Sequence, residues 1–135
     1  MSDDATAASL HRGLAGYLRA VAGALAVPAE ATSFEISDTV SAYLGLARRW
    51  NRRPERDLML VWNERYGWAL AVEPESGEPG TVLSYLPDEQ VVPGPATVAR
   101  FVTEVLDGHR TAEPSPGRRP AITRTNLAEQ LARYT

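Results

Sequence analysis

Cysteine is absent from this chain of 135 residues, so disulfides, thiolate metal sites and cysteine nucleophiles are excluded. Lysine is absent as well, and all 14 basic residues are arginine. With abundant alanine, glycine and proline, that usage points to a GC-rich genome in which arginine stands where other genomes place lysine. An arginine count is therefore no signature of function here. Long apolar runs are missing too: none approaches the ~20 residues of a membrane span. The opening MSDDATAAS is acidic and small where a signal peptide is basic and then apolar. A reducing cytoplasm is the expected compartment. Histidine is scarce, and His11 and His109 stand in no metal-ligand spacing. The chain also lacks a phosphate-binding glycine loop, a nucleophile elbow and a dinucleotide fingerprint. These gaps leave no catalytic residue, metal or cofactor to assign.

What is present suffices for one domain, because a chain of this length buries roughly two thirds of its unfolded surface. Residues 1–8 are expected to fray. From Leu10 the apolar positions Leu10, Leu14, Leu18, Val21 and Leu25 are spaced by three or four and predict an amphipathic helix ended by Val27-Pro28. Gly13, Gly16 and Gly23 inside it each cost about 1 kcal/mol relative to alanine, so packing must hold this helix. From Thr32 the period drops to two. Phe34, Ile36, Val40, Ala42, Leu44 and Leu46 form one apolar register, either as two strands joined at Ser37-Asp38-Thr39 or as one strand bulged there. The run DLMLVW (57–62) is apolar on both faces, like a central strand. A turn over 63–67 returns the chain as GWALAVE (67–73), a hairpin, and TVLSYL (81–86) adds a further strand after a polar turn. Pro93-Gly94-Pro95 opens a second helix with Val98, Phe101, Val102, Val105 and Leu106 on one stripe and Gly108 as its C-terminal cap. Residues 111–120 read as a flexible Pro/Gly linker, and Asn126 with Glu129 as the capping box of a short final helix.

This order predicts an α+β fold of two layers: an antiparallel sheet of four to five strands, with the N-terminal helix and the helix after the last strand on one face, plus a short C-terminal helix. The domain is expected over 9–110, followed by the linker and a helix within 121–135. The stretches DTVSAYLGLARRW, RDLMLVWNERYGWALAVE and PATVARFVTEVL resemble a family of small actinobacterial proteins of unknown function. The most recognisable part is Leu60, Val61 and Trp62, then Glu64 in the turn, then Gly67, Trp68, Ala69 and Leu70. The resemblance implies a host and a domain boundary, and carries over no chemistry.

The most suggestive stretch is Arg48, Arg49, Trp50, Asn51, Arg52, Arg53, Pro54, Glu55 and Arg56, read as a loop. Five arginines against one glutamate give +4 in nine residues and leave −7 on the other 126 of a chain whose formal charge is −3. Arginine forks bind carboxylate or phosphate bidentately. Arg48, Arg49, Trp50, Arg52, Arg53 and Arg56 therefore suit an anionic partner, although a solvated connection with Trp50 packed back on the core also explains them. The acidic remainder speaks against a general nucleic-acid binder. Trp62 and Trp68 flank the hairpin turn. They either stabilise the sheet as a cross-strand pair or form a ligand-stacking platform, with Tyr43 and Tyr85 as neighbours if their faces agree. Asp38 interrupts the apolar register and is expected either in an Asx-type turn or as a buried polar group satisfied by Arg19 or an arginine of the loop. Asp57, Glu64 and Glu73 lie at strand ends or turns, where a carboxylate pair can arise.

The resulting expectation is a non-catalytic binding or regulatory module that contacts an acidic protein partner through the arginine loop. The alternative is a small ligand sensor or enzyme using a cleft between sheet and helices, with Asp38, Glu64 and the aromatic residues in it. Nucleic-acid binding is a third reading. No membrane contact is expected, and self-association through an exposed sheet edge stays open because the turns guard it only in part.

Overall fold

Five strands, β1 (Thr32–Ile36), β2 (Val40–Trp50), β3 (Arg53–Asn63), β4 (Gly67–Val72) and β5 (Thr81–Tyr85), form one antiparallel sheet whose spatial order is their order in the chain. The computed structural model describes residues 3–50, 52–74, 80–88, 90–117 and 121–135. Among the described residues three α-helices accompany the sheet, α1 (Asp3–Ala24), α2 (Pro95–Leu106) and α3 (Arg124–Leu131), with short 3-10 turns at Ala29–Ala31 and Ala132–Tyr134. Strand alternation sorts the sheet into two faces. Val40, Ala42, Leu44 and Leu46 of β2, Leu58, Leu60 and Trp62 of β3, and Trp68, Leu70 and Val72 of β4 form the inner face, all of them buried. Leu10, Leu14, Tyr17, Leu18 and Val21 of α1, Val98, Phe101 and Val102 of α2, and Leu127 and Leu131 of α3 join them in one core. The arrangement is α+β, with the central strand where DLMLVW predicts it.

Several boundaries differ from the sequence expectation for identifiable reasons. Helix α1 begins at Asp3, so residues 3–8 are helical rather than frayed. It ends at Ala24, before Val27-Pro28, in a turn where Val27 N–H donates to Ala22 C=O at 2.8 Å and Ala26 N–H to Gly23 C=O at 3.1 Å. This is a Schellman cap with Ala26 in the left-handed region at φ 57°. The same pair of bonds ends α2, His109 to Glu104 and Gly108 to Val105, around the expected Gly108 at φ 76°. Alanine accepts the strain at the first site because the turn delivers Val27 into the core, 9% exposed. Asp38 resolves the choice at 37–39, where a three-residue turn separates two strands.

The C-terminal region is held at two places. Thr123 caps α3, its Oγ1 accepting from Asn126 N–H at 3.1 Å, so the cap stands three residues before the expected Asn126. The end of α3 and the turn Ala132–Tyr134 that follows it then pack on α1 where two of the three α1 glycines stand. A Cβ on Gly13 would meet Leu131 Cβ at 2.7 Å, and one on Gly16 would meet the Tyr134 carbonyl oxygen at 1.7 Å. The segment expected to be a free linker is tied down at Glu113, which accepts from Tyr85 N–H and donates to Ser84 Oγ, both at 3.0 Å. Arg110 reinforces this return with an ion pair to Glu104 at 2.7 Å and a cation–π contact 5.6 Å above Phe101. Residues 118–120 of the expected linker lie outside the described residues.

Candidate functional site

The arginine-rich stretch is a β-ribbon rather than a loop. Beyond Leu44, the last β2 partner of β1, and Leu58, the last β3 partner of β4, β2 and β3 continue as a pair through Arg49↔Asp57 and Trp50↔Arg53, with Asp57 C=O still accepting from Glu73 N–H at 2.8 Å at the base of this extension. Register shifts on both sides of Arg49, with Ala47 left-handed at φ 55°, bend this extension as bulges do. Arg48, Arg49 and Arg52 are exposed. The contact of Arg49 with Asp57 is 4.0 Å between side chains 72% and 57% exposed, a weak surface pair that leaves the guanidinium accessible. Asn51 and the side chain of Arg53 lie outside the described residues. Two members of the expected set are structural. Arg56 is 7% exposed, shares the inner register of Leu58 and Leu60, and donates to Glu73 C=O at 3.2 Å. Trp50 is half-buried and packs against the core.

The tryptophan platform is overturned by burial. Trp62 and Trp68 are direct cross-strand partners, as the hairpin predicts, but both face the helices at 1% exposure. Trp62 Nε1 donates to Val91 C=O at 2.7 Å, and Trp68 Nε1 donates to Tyr17 Oη at 3.0 Å, while that hydroxyl donates to Pro93 C=O. Burial pushes the Tyr17 phenol far up from its ordinary pKa and keeps it a neutral donor. Both indoles thus pin the segment before α2 and offer no face to a ligand. Tyr43 and Tyr85 lie on the opposite face, because they pair with Val61 and Ala69 rather than with the tryptophan register.

That outer face is the feature the sequence reading missed. Tyr43, Val61, Ala69 and Tyr85 form one row across β2 to β5, and Gly45, Met59, Ala71 and Val82 the next. Ala69 and Ala71 at the centre are buried at 3% and 2% exposure, whereas Tyr43, Met59, Val61 and Tyr85 are half-buried outside the core cluster and Val82 is 41% exposed. The signal was the weak alternation of Tyr43, Met59 and Val61 outside the core register, uninformative until the layer count was known. Tyr43 Oη donates to Glu73 Oε1 at 2.6 Å, and burial together with that carboxylate pushes its pKa up to about 12. A phenol whose folded pKa lies above the unfolded ~10 contributes stability that is complete below pH ~10 and lost as pH rises through ~12. The urea midpoint is therefore expected to fall between pH 10 and 12, and to fall less steeply in Tyr43→Phe. Equal slopes in the two proteins would remove Tyr43 from the account.

Asp38 is exposed in the β1–β2 turn, which corrects the buried-polar expectation. Its arginine neighbour is neither Arg19 nor a ribbon arginine but Arg124, which donates to the Asp38 and Ser37 carbonyls at 3.0 and 2.6 Å and to Glu64 Oε1 at 3.2 Å. Glu64, its side chain 11% exposed, also accepts from Val40 N–H at 2.8 Å and so ties α3 to two turns of the sheet. Asp38, Glu64, Arg65, Tyr66 and Arg124 line one cleft of about 520 Å³. Asp57 and Glu73 are taken up by Arg49 and Tyr43 as described. Among the described residues no three His, Asp or Glu side chains gather as a metal site, and no helix is long and apolar enough to cross a membrane.

No curated protein and no solved structure matches the chain. A family model matches residues 17–104, a span running from the middle of α1 through all five strands and most of α2. The chain belongs to that family, a family of unknown function (DUF6292).

Proposed function

We propose that the protein is a non-catalytic binding module of an actinobacterial cytoplasm that engages an acidic protein surface through the arginine end of the β2–β3 ribbon. The observation that carries this reading is the placement of Arg48, Arg49 and Arg52, exposed on an arm that has cleared both neighbouring strands. The ribbon stretch carries +4 while the remaining 126 residues carry −7. An acidic partner is steered to the arm and turned away from the rest of the surface. The outer sheet face adjoins the ribbon and adds Tyr43, Met59, Val61 and Tyr85 as apolar contact area beside the arginines, the mixture that carries most interface energy. The space between sheet and helices holds Tyr17, Trp62, Trp68 and Phe101, all fully buried, which favours a surface over an interior cleft. The arginine-only composition and the lack of cysteine support the host and the compartment.

A variant carrying Arg48→Glu, Arg49→Glu and Arg52→Glu is expected to lose its partner while keeping its melting temperature, since the three side chains are exposed. The check is capture from host lysate with and without nuclease, with the partner identified by mass spectrometry and its affinity then measured on purified proteins. A protein that survives nuclease, carries an acidic surface and is lost with the reversal supports the module. Undiminished capture by the reversed variant overturns it, and capture lost on nuclease treatment moves the assignment to nucleic acid. A second reading has the Asp38, Glu64 and Arg124 cleft in its favour, which suits a small polar ligand. Failure to capture any protein, together with thermal stabilisation by a metabolite that Tyr66→Ala abolishes, would move the assignment there.

A further inference from the structure

β1 is an edge strand, and one pair of hydrogen bonds sets the direction of its backbone groups. Val40 N–H donates to Glu64 Oε1 at 2.8 Å and Val40 C=O accepts from Glu64 N–H at 3.0 Å, so both groups of Val40 face β3 and not β1. In an antiparallel ladder the facing alternates from residue to residue. Ser41 and Tyr43 therefore face β1, and their partners Glu35 and Ser33 are bonded to β2. Phe34 and Ile36, opposite Ala42 and Val40, turn their N–H and C=O outward. Thr32 fits this phase, since its N–H turns away to Ala29 C=O. Among the described residues no backbone hydrogen bond from outside the sheet reaches Phe34 or Ile36. The opposite edge differs, because Glu113 occupies β5.

The same two residues point their side chains to the inner side, where α1 leaves β1 partly uncovered. A cleft of about 620 Å³ runs between the two elements, lined by His11, Ala15 and Arg19 from α1 and Thr32, Phe34 and Ile36 from β1. Phe34 and Ile36 are only half-buried in it, and the His11 ring meets Phe34 edge-on at 5.1 Å. Among the described residues no carboxylate lines this cleft. Arg19 is exposed and makes no ion pair or hydrogen bond among the described residues. Glu35 stands on the other side of the strand, toward the outer face.

We propose that β1 is an acceptor strand for an extended segment of a partner protein, apolar at alternate positions with one acidic residue in the same register. The segment adds to the sheet as a sixth strand and lays that register into the α1–β1 cleft. Strand addition uses the outward N–H and C=O groups of Phe34 and Ile36, and residues opposite them share their face. Apolar side chains there cover Phe34, Ile36 and Ala15, and the acidic one pairs with Arg19. An acid in the other register would stand beside Glu35 and be repelled. A second copy of β1 does not meet this requirement, because its inner register is Thr32, Phe34 and Ile36 and brings no carboxylate to Arg19.

The test uses the full chain and a fluorescent octapeptide of alternating valine and threonine in which one valine is replaced by glutamate. Fluorescence anisotropy is expected to show saturable binding, with NMR amide shifts concentrated at Phe34 and Ile36. Arg19→Glu, an exposed site, is expected to weaken this peptide about tenfold and to favour a peptide carrying lysine in place of glutamate. That reciprocal swap cannot arise from damage to the fold. A peptide methylated on its ladder nitrogens is expected not to bind. Absence of saturable binding, an unaltered affinity in Arg19→Glu, retained binding of the methylated peptide, or shifts confined to the ribbon would each overturn the proposal. So would dimerisation of the chain that the peptide does not compete.

Discussion

Replacing Gly16 by alanine is expected to detach the C-terminal segment from α1. A Cβ at that position would stand 1.7 Å from the carbonyl oxygen of Tyr134, and the obstruction is backbone, which no rotamer change relieves. Either α1 moves away from the final turn or the turn leaves α1. In both cases Leu127 and Leu131, fully buried now, lose their cover, and the 4.9 Å ring contact of Tyr134 with Tyr17 opens. Overpacking costs about 1–3 kcal/mol, and re-exposing a leucine side chain about 1.5–3 kcal/mol. A total of roughly 3–5 kcal/mol corresponds to a fall of about 10–20 °C in melting temperature for a domain of this size. Calorimetry and limited proteolysis check it together, the second by early release of a C-terminal fragment. Gly23→Ala supplies the control, because among the described residues nothing outside its own stretch of helix lies within 4 Å of its added Cβ. There the ordinary helix preference returns, and a gain of about 0.5–1 kcal/mol is expected. Equal behaviour of the two variants would show that the final turn does not pack on α1 at Gly16.

Trp68→Ala is expected to be the most damaging single change in the sheet. The indole is 1% exposed between β3, β4 and α1, and removing it costs about 3–5 kcal/mol through lost burial and the cavity left behind. The substitution also removes the donor that Tyr17 Oη accepts, in the relay that holds Pro93 at the entrance to α2. Trp62→Phe separates the two contributions. It keeps most of the apolar volume but leaves Val91 C=O without its indole donor, a cost of about 1–3 kcal/mol. The expected order of urea midpoints is wild type, then Trp62→Phe, then Trp68→Ala. If Trp68→Ala behaved like a surface substitution, the indole would not be a core residue and the ligand-platform reading would return.

The contrast between these residues shows what could be read before folding and what could not. Periodicity was sufficient for the elements, because each must bury one stripe or one register: the even positions of β2, the 98–106 stripe of α2 and the turn before Gly67 all stand where the pattern puts them. Glycine chemistry was legible at Gly108, whose φ of 76° is a local requirement. It was illegible at Gly16, whose reason is a carbonyl more than a hundred residues away. The arginine stretch was legible as charge, yet Arg56 lies inside and Arg48 outside because strand pairing, not composition, assigns each residue its face. Trp62 and Trp68 were correctly placed opposite each other, while the side of the sheet they occupy depended on where α1 packs.

The sequence by itself determined the α+β class, most of the elements and their types, and the polarity of charge along the chain, since these follow from local sterics and hydrophobic spacing. Only the tertiary structure decided the rest. With one layer of helices for two faces of a sheet, burying the tryptophan register leaves Tyr43, Met59, Val61 and Tyr85 facing outward and leaves the outer edge of β1 uncovered beside Arg19. Which face is covered and which edge stays open are set by long-range packing, and no short stretch of residues encodes them.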